Sequence, residues 1–141
     1  MTKKETLEIK RYKPEQIRDG IFSLRTRRLG TVAESLIKIL ANASWGEDIS
    51  HDLFEPKEMK RIEVKFSCAL RAHKNKIKEN NILEEIAKAS GINRMFSSKD
   101  WKDNKFDCNI QQVKRKKFDT LYYGIFFSDK VQIFKIKSTI I

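Results

Sequence analysis

Asp52 and the triplet Glu63-Val64-Lys65 are the residues of this chain whose types and spacing can do chemistry together. The turn-forming run Glu55-Pro56-Lys57-Glu58 lies midway between them. A hairpin folded about Pro56 and Lys57 sets Asp52 opposite Arg61 to Glu63. Glu63 and Lys65 are two apart on a predicted strand, so both side chains project from one face. Two carboxylates beside one ammonium form the donor set that metal-assisted phosphodiester hydrolysis uses. Mg²⁺ prefers carboxylate, carbonyl and water oxygens, and Mn²⁺ can substitute for it. The expected ligands are Asp52, Glu63 and the backbone carbonyl of Val64. Lys65 would orient or help deprotonate the attacking water, or offset charge developing on the phosphate. Asp48 is the alternative to Asp52 as ligand. The plainer readings are a turn-capping Asp52 and an ordinary polar strand face at Glu63 and Lys65.

The elements that must position these groups are read from periodicity. Pro14 opens a short predicted helix over residues 14–19 that Gly20 ends. Residues 25–41 carry Leu29, Val32, Ala33, Leu36, Ile37 and Leu40 at helical spacing, predicting a buried stripe. Glu34 lies beside that stripe, either as a further carboxylate for the site or as an i,i+4 partner of Lys38. The period then changes to two. Asp52-Leu53-Phe54 is short and extended, and residues 59–67 form a strand with Ile62, Val64 and Phe66 on one face. Helical spacing returns over residues 75–90 through Ile77, Ile82, Leu83, Ile86 and Ala87, stopped by Gly91. Residues 93–107 read as loop. Three strands follow, over 109–114, 120–127 and 131–137, with Ser128-Asp129-Lys130 short enough for a hairpin. The order α–β–β–α–β–β–β predicts an α/β (α+β) single domain over residues 1–141: a central mixed sheet flanked by helices, with residues 1–12 as a basic arm.

Charge narrows the partner class. The 141 residues hold 30 Lys+Arg against 19 Asp+Glu, net +11, a balance that favours a polyanion, most commonly nucleic acid. The distribution is uneven. Residues 31–55 carry one Lys against five carboxylates, net −4, while the flanking stretches 1–30 and 56–80 are each net +5. An acidic island in a basic chain suits a divalent cation held against a phosphate. Arg25, Arg27 and Arg28, and the run Lys114-Arg115-Lys116-Lys117, are the expected grips on DNA backbone, without base information. Their plainer reading is a solvated surface. Cys68, Cys108, His51 and His73 show no zinc-ligand spacing and no disulfide framework. The absence of an apolar leader or a membrane-length apolar run leads us to expect a cytoplasmic protein.

Taken together, Glu34 on a helix, Asp52 at a hairpin and Glu63-Val64-Lys65 on the next strand resemble the PD-(D/E)xK nuclease superfamily, most of all its type II restriction endonucleases. The resemblance spans residues 29–134 and departs from the pattern at His51, which stands where the family usually has Pro. It implies a core of helix, three antiparallel strands, helix and a further strand. It also implies that Gln112 or Lys114, in the segment Gln111-Gln112-Val113-Lys114, approaches the site or the DNA backbone. The function so implied is a Mg²⁺-dependent endonuclease acting on double-stranded DNA, a sequence-specific restriction enzyme working as a homodimer. The alternatives are a non-catalytic DNA-binding module of the same fold, and a repair, junction-resolving or transposon endonuclease.

Overall fold

Alternation along Lys60–Cys68 builds the central strand of the protein. In the computed structural model, which describes residues 12–46, 52–72, 75–106 and 117–140, Ile62 and Val64 are buried on one side of this strand. Glu63 and Lys65 occupy the other side, as the pleat requires. The elements in chain order are α1 (Pro14–Ser23), α2 (Thr26–Leu40), β1 (Ser44–Trp45), β2 (Leu53–Glu55), β3 (Lys60–Cys68), α3 (Ile82–Lys88), α4 (Gly91–Arg94), a 3₁₀ turn (Ser98–Asp100), β4 (Thr120–Phe126), β5 (Val131–Lys137) and a terminal 3₁₀ turn (Ser138–Ile140). The sheet order is β1-β2-β3-β4-β5. β1, β2 and β3 form an antiparallel meander, β4 runs parallel to β3, and β5 returns antiparallel to β4. The fold is therefore α+β with a five-stranded mixed sheet and several helices. The parallel β3–β4 pair needs a long crossover, and α3 and α4 lie within it.

Each face of the sheet has its own core. Ala33 and Ile37 of α2 pack on Leu53, Ile62 and Val64, so the helical stripe read from the sequence is buried at its centre. Its end is not: Leu40 is exposed. On the opposite face Leu121, Tyr123 and Ile125 pack with Ala69, Phe96, Phe118 and Phe127. Among the described residues no helix is long and apolar enough to cross a membrane.

Several boundaries differ from expectation. Gly20 does not end α1, which continues to Ser23; no glycine in the described residues has positive φ, and Gly20 has open space around it. β1, too short for a periodicity signal, pairs Ser44 with Phe54 and Trp45 with Leu53. The helix expected over 75–90 shrinks to Ile82–Lys88. Asn81 diverts the chain before it, accepting from the Lys78 N–H at 2.7 Å and donating to the Lys76 carbonyl. Its apolar spacing does not mark a buried face: Ile82, Leu83 and Ile86 are exposed, and Glu85 is buried instead. Gly91 does not merely stop that helix but begins α4, where a Cβ would collide with the Phe22 carbonyl oxygen. The Ser128-Asp129-Lys130 hairpin forms as expected, with the Phe127 N–H donating to the Lys130 carbonyl at 2.8 Å. The strand expected over residues 109–114 lies outside the described residues.

Candidate active site

The hairpin register brings Asp52 to Glu63. Leu53 pairs with Ile62, so Asp52, one residue before β2, stands beside Glu63 on the partner strand. The Asp52 N–H donates to the Ile62 carbonyl at 3.0 Å. The next N–H along that edge of β3, on Val64, has no β2 backbone to meet. The Asp52 carboxylate takes it, Oδ2 accepting at 2.8 Å. A side chain thus takes the place of backbone where β2 stops, which fixes Asp52 at the edge of β3 beyond the last β2 pair. In an antiparallel pair one residue offers its N–H and C=O toward the same neighbour, so the Val64 carbonyl is directed to this edge as well. The Val64 side chain is buried on the opposite face, against α2.

Glu63 and Lys65 project together from β3, with Nζ and Oε1 3.6 Å apart and side chains 30% and 16% exposed for Lys65 and Glu63. Glu34 reaches the same place from α2. Its carboxyl is raised above the ordinary carboxylate range, first by burial, then by the charge of Asp52 and a hydrogen bond with the Asp52 side chain; Lys65 opposes the rise. A hydrogen bond between two carboxyl groups needs a proton on one of them. Burial and the Asp52 charge push Glu63 up to about 7, against the pull of Lys65 and with a small further push from Glu34. Three carboxyl groups and one ammonium from α2, the start of β2 and β3 therefore share one electrostatic environment. The Asp52 charge raises the proton affinity of both Glu34 and Glu63.

The donors are all hard oxygens, the set that suits a small divalent cation. Among the described residues no three His, Cys, Asp or Glu side chains are grouped so that they could hold a metal ion together; Asp52 is engaged with the Val64 N–H and Glu63 with Lys65.

The other sequence candidates distribute around this centre. Arg25 is the N-cap of α2, and Arg27 and Arg28 lie in its first turn, which contains no acidic residue. All three are exposed. Cations at a helix N-terminus oppose the macrodipole, so these arginines do nothing for the helix that carries them. Lys117 is exposed too. Gln112, Lys114, Arg115 and Lys116 lie outside the described residues, as do Asp48, His51, His73 and Cys108. Cys68 is half-buried and its thiol is pushed up to about 11 by burial, the state of an inert thiol.

Two supports of the site escaped the sequence reading. Asp119, the residue before β4, accepts from the Arg61 backbone N–H at 2.8 Å and from its Nε at 3.2 Å. This clamps the start of β3 to the start of β4, one pleat below Glu63. Ser67 and Tyr123 hydroxyls meet at 3.0 Å in the sheet interior, on the face that carries Lys65. Neither pair has a local sequence signal, because each joins residues more than fifty positions apart. Comparison of the sequence with protein-family models and curated proteins, and of the structure with solved structures, returns no match.

Proposed function

We propose that this chain is a Mg²⁺-dependent endonuclease of the PD-(D/E)xK type, hydrolysing phosphodiester bonds in DNA. The observation that carries the reading is that Glu34, Asp52, Glu63 and Lys65 meet at the edge of β3 beyond β2, where the Asp52 charge raises the proton affinity of Glu34 and Glu63. Like charges gathered at a partly buried edge weaken a fold unless a cation joins them. The element order supports the same reading. Helix α2, the antiparallel meander β1–β2–β3, helix α3 and strand β4 beside β3 follow the order of the core that the resemblance implies.

In this reading Asp52, Glu63 and the Val64 carbonyl hold Mg²⁺, which, when bound, lowers the pKa of water and withdraws charge from the phosphate. Lys65, beside Glu63, orients the attacking water and offsets negative charge as the phosphate becomes five-coordinate. Glu34 keeps Asp52 in place through their shared hydrogen bond, and α2 holds Glu34 there by packing Ala33 and Ile37 against β3. Arg25, Arg27, Arg28 and Lys117 grip the phosphate backbone. A symmetric pair of chains, each cutting one strand, completes a double-strand break.

The test is incubation of supercoiled plasmid with the chain in Mg²⁺ and in EDTA, alongside Glu63→Ala and Lys65→Ala. The reading expects nicked or linear product only with Mg²⁺ and wild type. Discrete fragments from long mixed-sequence DNA mark a restriction enzyme, and a smear marks a nuclease without sequence preference. Intact DNA under Mg²⁺ and Mn²⁺ overturns the proposal in favour of a DNA-binding module. Cleavage by Glu63→Ala at more than about a tenth of the wild-type rate overturns the site assignment.

A further inference from the structure

The strand register places an aromatic groove in line with the candidate site. Lys65 pairs with Tyr123 across β3–β4, and Tyr123 with Phe134 across β4–β5. Paired residues share a face, so Lys65 and Phe134 lie in one row on one side of the sheet. Two strand spacings separate them, about 10 Å. Over Phe134 the segment of residues 98–106 closes a groove of about 420 Å³, lined by Trp101, Phe106, Ile125, Lys130 and Gln132 among others. Its floor is stiff: Phe106 meets Phe96 and Phe127 edge-on, with ring centroids 5.5 and 6.1 Å away. Its walls are open. Trp101 is 56% exposed and Phe134 46%, although both are large apolar side chains.

The surroundings select the occupant. Lys130 lines the groove, Lys102 stands over the Trp101 ring at 5.6 Å, and Lys99 and Lys105 belong to the same segment. Against these four cations stand Asp100 and Asp103, while Asp129 is turned to the Ser98 N–H and hydroxyl at 2.8 and 2.7 Å. A second copy docked groove to groove is a poor occupant, because the lysines around the two grooves would face one another. A flat aromatic group that arrives on a polyanion is a good one.

We propose that this groove is a stacking subsite for an unpaired nucleobase of a nucleic-acid strand whose backbone continues to the candidate active site. The inference takes from the proposed function only the identity of that strand as substrate. Faces of paired bases are covered by their neighbours in a duplex, so aromatic side chains can accept a base only from single-stranded or locally opened nucleic acid. The buried Tyr123 lies between the two sites, so a strand that visits both passes over the elements covering it and spans several phosphates at about 3.4 Å each when stacked. Gln132 and Ser98 at the rim give the base edge hydrogen-bonding groups. The substrate so specified has an unpaired segment next to the scissile bond, as in a flap, a bubble, a junction or a single strand.

The experiment measures binding of a fifteen-nucleotide oligothymidylate and of a fifteen-base-pair duplex in EDTA, by fluorescence anisotropy over a range of salt. Wild type binds the single strand more tightly. Trp101→Ala, at an exposed loop position that tolerates truncation, loses about 5- to 100-fold in single-strand affinity with duplex affinity and salt slope unchanged, because stacking releases no counterions. Trp101→Phe keeps most of the affinity. Equal single-strand binding by Trp101→Ala and wild type, or a parallel loss on duplex, overturns the inference, as does absence of single-strand binding. Because binding is read in EDTA, loss of stacking leaves the nuclease reading standing, and absence of Mg²⁺-dependent cleavage with intact stacking overturns only that reading.

Discussion

Replacing Glu63 by Gln should make the metal-free protein more stable at alkaline pH, an effect opposite to that of most substitutions in a folded site. The Glu63 carboxyl is pushed up to about 7 from an ordinary 4.5 by burial and by the Asp52 charge. The folded chain therefore holds this proton more tightly than the unfolded chain does. The resulting stability is fully present below pH 4.5, declines above it and is lost as pH rises through about 7. A gap of about 2.5 pH units at about 1.4 kcal/mol each sets an upper bound of about 3.5 kcal/mol. Coupling of Glu63 to Glu34 and Asp52 spreads that penalty over the cluster, and we expect about 2 kcal/mol to be recovered when Gln removes the charge. Gln keeps the shape and loses the ionisation, so the two proteins should unfold at similar urea concentrations at pH 5 in EDTA. At pH 8.5 the variant should be the more stable by about 2 kcal/mol. Adding Mg²⁺ at pH 8.5 should stabilise wild type and leave Glu63→Gln nearly unmoved, since a cation replaces the proton only where a carboxylate can receive it. Parallel stability curves for the two proteins from pH 5 to 8.5 would refute the account of the cluster.

Asp52→Asn retains an acceptor for the Val64 N–H and removes the charge, so cleavage should vanish with the fold intact. Asp52→Ala should also cost about 1–2 kcal/mol, because a strand-edge N–H loses its partner; equal urea midpoints for the two variants would contradict this. Gly124→Ala should destabilise by about 1–3 kcal/mol, because the Phe66 ring occupies the space a Cβ would need. Urea denaturation reads the loss, and Phe66→Leu should relieve part of it. Joint replacement of Arg25, Arg27 and Arg28 by Gln should lower the log–log salt slope of duplex binding by about 0.9 for each arginine that touches a phosphate. An unchanged slope would return them to a solvated helix end.

Local spacing made part of this protein legible in its sequence. Alternation of Ile62, Val64 and Phe66 with Glu63 and Lys65 located β3, because successive side chains of a strand must point to opposite faces. The turn at Pro56 and Lys57 predicted the approach of Asp52 to Glu63, because an antiparallel hairpin leaves little freedom of register. The Ser128-Asp129-Lys130 hairpin followed for the same reason. Spacing alone misled where it did not determine burial. The apolar pattern of α3 marks an exposed face, since a helix records which residues share a side and not whether anything covers it. Gly20 looked like a stop signal and is an ordinary helical residue. Gly91 is required by the approach of the Phe22 carbonyl, from a segment nearly seventy residues away. The place of Asp52 beyond β2 at the edge of β3, the arrival of Glu34 from α2, the Arg61–Asp119 clamp and the row from Lys65 to Phe134 all depend on which elements pack together. Covalent geometry settles neighbours along the chain; the hydrophobic packing of α2 on β3 and the pairing of β3 with β4 settle which carboxyl groups meet and how strongly they hold their protons.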